Sequence, residues 1–296
     1  MTDVHSDRMT DVHKDDADDR PANPKQRPKN RSRAMLVVAI ALAAGVVPHA
    51  AASADEVAVT IPTRTDVTES FTFERPAHPI AAVVLFPGGE GSVGIRNDAG
   101  HPVIARADNF LIRVRQRFVA AQIAALVLDA PSDHADGITE AFRKGTDHAR
   151  DVGAVLAWLR PRVNAPIWLV GTSMGSVSAA AIAIRLGKAI DGVALTSPVS
   201  AAGRNSPELG LSTLALEAII VPALVMDHAL DACRASPPGN AAPLARRLTG
   251  SPRTAVTLIV GGRAPRSGPC TPLSYHGYLG VEDQAVATIV DFIKAK

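Results

Sequence analysis

Short apolar runs alternate along this chain with stretches whose apolar residues recur at helical spacing. Residues 56–61 and 67–73 predict an antiparallel opening pair of strands. Further strands are expected at 80–86, 124–129, 165–170, 192–196, 221–227 and 254–261. Between them fall predicted helices at 104–121, 141–159, 176–186, 209–219 and 241–248, and a closing helix at 281–296. Strands alternating with helices imply a mostly parallel sheet of about eight strands, covered on both faces, with its sites at the carboxyl ends of the strands. No long-period repeat breaks the pattern. The connection from 197 to 222 is too short for a large lid, so any cleft is open or covered only by 204–216.

Residues 1–30 do not follow the pattern. They are dense in Asp, Lys, Arg, Asn and Pro, and Met1-Thr2-Asp3-Val4-His5 recurs as Met9-Thr10-Asp11-Val12-His13. A segment this polar cannot bury enough surface to offset its chain entropy and is expected to be disordered, or to be a start-site artefact with Met9 as the true start. Then come Arg31 and Arg33, an apolar run over 34–47, and the small-residue stretch 50–54. A basic flank, a short apolar run and an Ala-x-Ala pattern make an export signal spanning 31–54, with cleavage after Ala54. The run is shorter than the roughly 20 residues of a membrane span; an uncleaved signal anchor is the rival reading. Export places one domain, 55–296, outside the cytoplasm as a secreted or periplasmic protein.

That domain carries 23 basic and 22 acidic residues. The balance gives no reason to expect nucleic acid or a membrane surface as partner. The chain has two cysteines, Cys233 and Cys270. In an exported chain an even count favours a disulfide, worth about 4 kcal/mol on the chain-entropy argument; two free buried thiols are the alternative.

The chemistry concentrates at Gly171-Thr172-Ser173-Met174-Gly175, between a predicted strand and a predicted helix. A serine on so tight a turn is lifted above the sheet edge, and glycines on either side give the bend room. That is how acyl-transfer hydrolases expose a nucleophile. The expected order is Ser, then an acid, then His. His276 lies in the loop after the last strand, between Ser274 and the flexible Gly277 and Gly280. Asp231, just beyond the strand that ends at Asp227, is the chosen acid, with Asp227 as its local competitor. A Cys233–Cys270 bond would tie the acid loop to the base loop. Oxyanion donors are expected from the backbone N–H groups of Met174 and Gly89, with Glu90 as the substitute for Gly89. Asp129 and Asp133, beyond the 124–129 strand, could touch substrate or cap the next turn.

Gly89-Glu90-Gly91-Ser92-Val93-Gly94 matches a dinucleotide fingerprint in form, but Asn97, Asp98, Gly100 and Pro102 interrupt the helix it would have to open. No cofactor is expected. Two distant cysteines and the absence of an H-E-x-x-H pattern give no expectation of a metal.

The chain resembles an α/β-hydrolase, and more narrowly a poorly characterised group of exported bacterial serine α/β-hydrolases. The shared segments are Phe86-Pro87-Gly88-Gly89, Asn109-Phe110-Leu111-Ile112-Arg113, Asp129-Ala130-Pro131-Ser132-Asp133, Trp168-Leu169-Val170-Gly171-Thr172-Ser173 and Tyr275-His276-Gly277. The resemblance spans roughly residues 80–293. It implies the α/β-hydrolase fold and a triad of Ser173, Asp231 and His276, but no particular substrate. The chain departs from the group before the acid, where Asp227-His228-Ala229-Leu230 replaces a glycine-containing turn. The reading is a serine hydrolase cleaving a small-molecule carboxylic ester through an acyl-enzyme. A peptidase or acyltransferase with the same triad, and a catalytically silent binding protein on the same fold, are the alternatives.

Overall fold

The computed structural model describes residues 54–204 and 206–295. The predicted N-terminal extension and all of the predicted export signal except Ala54 lie outside the described residues. Among the described residues there are ten strands: β1 (Ala54–Arg64), β2 (Val67–Arg75), β3 (Ala81–Phe86), β4 (Ile95–Asp98), β5 (His101–Ile104), β6 (Ile123–Leu128), β7 (Ile167–Thr172), β8 (Gly192–Thr196), β9 (Ala223–His228) and β10 (Thr254–Ile259). Eight of them form one sheet in the order β1-β2-β6-β3-β7-β8-β9-β10. Strands β1 and β2 pair antiparallel, and β2 pairs antiparallel with β6. From β6 to β10 every neighbour is parallel.

Alternation along the buried strands divides the core into two layers. Ala82, Val84 and Phe86 face one side, with α3 (Thr146–Val163), α4 (Met174–Leu186) and α5 (Ala241–Arg246). Ala81, Val83 and Leu85 face the other side, with α1 (Phe110–Ala120) and α6 (Glu282–Lys294). Strand β7, with every residue buried, lies between β3 and β8 near the middle of the sheet. Its carboxyl end is therefore held laterally on both sides.

Three predicted helices differ from the observed ones, each for a local reason. The helix expected from 104 starts six residues later, because Asn109 caps it by accepting a hydrogen bond from the Leu111 N–H at 3.1 Å. The residues before it form the β4–β5 hairpin, turning at Ala99 and Gly100 with φ of 50° and 92°. The helix expected over 141–159 is interrupted at Gly145, which is extended (φ −78°, ψ 165°) between α2 (Glu140–Lys144) and α3. Residues 209–219 make two short 3-10 turns instead of an α-helix. Leu209 and Gly210 enter them at positive φ, and Arg247 takes the carbonyls of Leu211, Ser212 and Leu214 that a helix would have used.

Candidate active site

Ser173 follows the last residue of β7 and precedes the first residue of α4. Its backbone has φ 52° and ψ −126°, a conformation that costs a non-glycine residue on the order of 1–3 kcal/mol. The surroundings hold it there. The Ser173 N–H donates to the Thr196 carbonyl at 3.0 Å, and the Ser173 carbonyl accepts from the Ser176 N–H at 2.9 Å and the Ser176 hydroxyl at 2.6 Å. The flanking glycines are sterically required. A Cβ on Gly171 would stand 2.2 Å from the Gly175 oxygen, and one on Gly175 would stand 2.0 Å from the Phe86 oxygen.

The loop after β3 packs directly on the serine, and a Cβ on Gly88 would approach the Ser173 Cβ to 2.9 Å. Gly89 follows at φ 66°, its carbonyl accepting a hydrogen bond from Arg143 Nη2 at 2.9 Å. Helix α4 opens at Met174, so its first N–H groups have no intrahelical carbonyl to bond. Gly89 and Met174 thus place two backbone segments beside the serine where an oxyanion could be received. The Glu90 carboxylate is paired outward with Arg106 at 3.0 Å.

His276 sits in a 3-10 turn, 5% exposed, and its Nδ1 lies 2.7 Å from Asp231 Oδ2. Donation from Nδ1–H to the carboxylate leaves Nε2 as the basic nitrogen of the neutral ring. That Nε2 is buried and has no partner among the described residues. The other oxygen of Asp231 accepts from the Cys233 N–H at 2.8 Å. Cys233 is joined to Cys270, which shares with Ser173, His276 and Gly89 the lining of a cleft of about 270 Å³. The turn is held from behind: Ser197 Oγ donates to the His276 carbonyl at 2.9 Å, and Gly277 must be glycine because a Cβ would meet the Pro272 oxygen at 1.9 Å.

The two aspartates of this region therefore differ in kind. Asp227, on β9, is buried with Oδ1 unpartnered. Burial, reinforced by the neighbouring Asp231 charge, pushes its carboxyl up to about 9. His228 donates from Nε2 to the Gly261 carbonyl at 3.0 Å and stacks on Tyr275; burial holds it below the usual histidine range.

Asp129 and Asp133 lie elsewhere. Asp129 accepts the backbone N–H groups of Val93, Gly94, Ile95 and Ala130 at 2.7–3.3 Å and so fixes the loop after Gly91. Asp133 accepts two hydrogen bonds from Arg64, which lowers its carboxyl to about 2. Neither lines the cleft around Ser173. Nor does 204–216 cover that cleft; Pro207 and Glu208 instead line an adjoining cavity of about 390 Å³ that reaches Gly89 and Met174.

Two arginines that frame the site carry no sequence signal for the role. Arg143 is fully buried and bonds Ser178 Oγ as well as Gly89, and burial lowers its guanidinium to about 9. In the polar run Glu140-Ala141-Phe142-Arg143-Lys144 it looks like a solvated helix face. Arg113 donates to the carbonyls of Pro272 and Gly277 on either side of His276, at 3.1 and 2.9 Å. It falls inside a segment shared with the resembling group, yet nothing in its spacing announces that clamp.

No protein family and no curated protein matches the chain by sequence. Solved structures do match by shape, and the architecture is the α/β-hydrolase fold, with no lid domain among the described residues. Est1E from Butyrivibrio proteoclasticus superposes with a TM-score of 0.54 at 11% identity, covering 80% of this chain and 97% of that one. Dienelactone hydrolase from Anabaena variabilis gives 0.52 at 16%, covering 80% and 96%. An α/β serine hydrolase without lid from Xanthomonas campestris gives 0.51 at 14%, covering 79% and 95%. At these identities the likeness is one of fold.

Proposed function

We propose that this protein is a serine hydrolase of carboxylic esters, with Ser173 as nucleophile, His276 as base and Asp231 as the acid that orients it. One observation carries the reading: a serine held at positive φ between β7 and α4 shares a cleft with a histidine whose Nδ1 is 2.7 Å from a buried carboxylate. His276 Nε2 takes the proton from Ser173 as the hydroxyl attacks the ester carbonyl. The oxyanion is received by the N–H groups of Gly89 and Met174. Nε2–H then protonates the departing alcohol, and the same imidazole activates the water that releases the acyl group. The 270 Å³ cleft and its 390 Å³ neighbour meet at Gly89, which suits an ester whose acyl and alcohol parts diverge there. Among the described residues no group of His, Cys, Asp and Glu is arranged to hold a metal, and the steps above call on none.

Export is proposed with it. The disulfide suits an oxidising compartment, and no helix among the described residues is long and apolar enough to cross a membrane.

A fluorophosphonate probe, followed by mapping of the adduct, tests the nucleophile. Labelling of Ser173 that is lost in Ser173→Ala and His276→Ala is the expected result, and a folded protein that takes no label sinks the hydrolase reading. A chain-length series of p-nitrophenyl esters then tests the substrate class. Turnover of amides alone would reassign the site to a peptidase, and acyl transfer to an added alcohol in preference to water would make it an acyltransferase.

A further inference from the structure

A further cavity, of about 740 Å³, is lined by Leu273 before the His276 turn and by Leu279 and Gly280 after it. It shares no lining residue with the Ser173 cleft. We propose that it is a binding site for a small molecule carrying a phosphate group. The proposal does not depend on the ester-hydrolase reading.

Four guanidiniums line the cavity, those of Arg113, Arg117, Arg263 and Arg266, against only two carboxylates, Glu282 and Asp283. The charges are unevenly matched. Arg113 is tied to Glu282 at 3.0 Å, both side chains being largely buried, and is occupied. Arg117 pairs at 3.2 Å with Asp283, whose side chain is 91% exposed, the kind of ion pair that water and competing anions readily replace. The Arg117 Nη1 is buried and has no hydrogen-bond partner among the described residues. The guanidiniums of Arg263 and Arg266 make no hydrogen bond or ion pair among the described residues, so the cavity carries an uncompensated positive charge.

The backbone that carries Arg263 and Arg266 is also fixed. Arg263 lies across Gly280 so closely that a Cβ there would stand 2.5 Å from its Cγ, and its backbone N–H is bonded to Leu279 at 2.8 Å. The Arg266 N–H is likewise bonded to the Leu273 carbonyl at 2.8 Å. These contacts fix the loop backbone and the base of the Arg263 side chain, while both arginines remain exposed to an incoming anion. Between the charges, Val114, Leu273 and Leu279 supply an apolar floor. A doubly charged phosphate monoester meets this arrangement well. Its oxygens accept paired N–H bonds from planar guanidiniums, which a singly charged carboxylate does less completely. The volume lies within the usual 300–1,000 Å³ range of small-molecule sites. The even charge balance of the whole domain conceals this local excess.

Calorimetric titration of the full chain with glycerol phosphate, at low and high salt, tests the site. The same phosphate could arrive on a free metabolite or on a lipid headgroup, so sedimentation with phosphatidylcholine vesicles, with and without phosphatidic acid, forms the second arm. The variant is Arg263→Gln/Arg266→Gln, with Arg150→Gln as a remote charge control and thermal melting as the check on folding. Saturable binding of glycerol phosphate, weakened at least tenfold in the double variant and unchanged in the control, supports the proposal. Sedimentation only with phosphatidic acid vesicles, lost in the same double variant, supports it with the headgroup as the source. Failure to bind either probe, or binding that the double variant retains in full, overturns it. Ester turnover measured on the same samples reports the Ser173 site separately.

Discussion

Replacing Asp227 with asparagine should stabilise this protein while leaving the proposed ester turnover nearly intact. The carboxyl titrates near 3.8 in an unfolded chain and near 9 in the fold, because burial and the Asp231 charge both resist its ionisation. Between those values the folded state holds a proton that the unfolded state has released. Stability conferred by the neutral carboxyl is fully present at acid pH and is lost as pH rises, at about 1.4 kcal/mol per unit. At pH 7 the position thus costs on the order of 4 kcal/mol, and at pH 8 somewhat more. Asparagine keeps the shape of the neutral carboxyl and has no proton to lose. The assay is urea unfolding of parent and variant from pH 5 to pH 8. The variant should gain about 1.6 kcal/mol at pH 5 and about 4 kcal/mol more at pH 8, flattening the slope. Asp231→Asn provides the contrast, because it leaves His276 without its acceptor and should lower kcat by a factor on the order of 10⁴. Equal stability of Asp227→Asn and parent at pH 8 would refute the electrostatic argument. A larger loss of rate at position 227 than at 231 would refute the choice of acid.

Reduction of the Cys233–Cys270 bond, which spans 37 positions, should cost about 4 kcal/mol by the chain-entropy relation and lower the melting temperature by roughly 8–15 °C. Since the Cys233 N–H also bonds Asp231, turnover should fall at temperatures where the reduced protein is still folded; unfolding curves that coincide with and without reductant would count against both claims. Arg143→Met should lower kcat by about a hundredfold, because Gly89 loses the bond that fixes its carbonyl, with KM little changed. Steady-state kinetics at saturating ester checks this, and a change confined to KM would show that Arg143 contributes to ground-state binding instead.

What was legible in the chain was whatever local chemistry decides. The strand positions followed from buried apolar runs, and a glycine–serine–glycine turn between a strand and a helix has few other uses. The order of serine, acid and histidine left both Asp227 and Asp231 as candidates, and in the fold it is Asp231 whose Oδ2 lies 2.7 Å from His276 Nδ1. Helix extents were less legible, because capping and backbone interruptions decide them. Asn109 and Gly145 each shortened a periodic stretch that periodicity alone would have extended. Residues 209–219 have the composition of a helix but lose their carbonyls to Arg247, a contact across more than thirty positions. The framing arginines escaped notice for the same reason: a buried Arg143 and a clamping Arg113 are defined by distant carbonyl groups, which no local window contains.

The carboxylates at the end of β6 show what that distance dependence achieves. Asp129 and Asp133 look available for substrate in the chain, yet both are drawn into a polar layer beneath the loop that approaches Ser173. Arg64 joins Asp133 to Asp151, and so couples the start of the sheet to α3. In the same region Glu69 and His148 are buried with no hydrogen-bond partner among the described residues. Burial raises Glu69 well above the usual carboxylate range and lowers His148 to about 3, so in both it opposes the charged form. Groups of this kind weaken a fold, and an apolar layer would have packed more stably. What they accompany is a serine held in a costly backbone conformation and a glycine loop packed directly on it. Strain of that sort persists only where the surroundings over-determine the backbone. Here Asp129 fixes the 93–95 segment, Arg143 fixes Gly89, and Ser176 with Thr196 fixes Ser173. The cleft's geometry is therefore set by polar contacts to backbone. Its side-chain walls are no looser: Val93 and Phe110 line it and are both buried in the core, Phe110 packing on the Tyr278 ring at 4.6 Å.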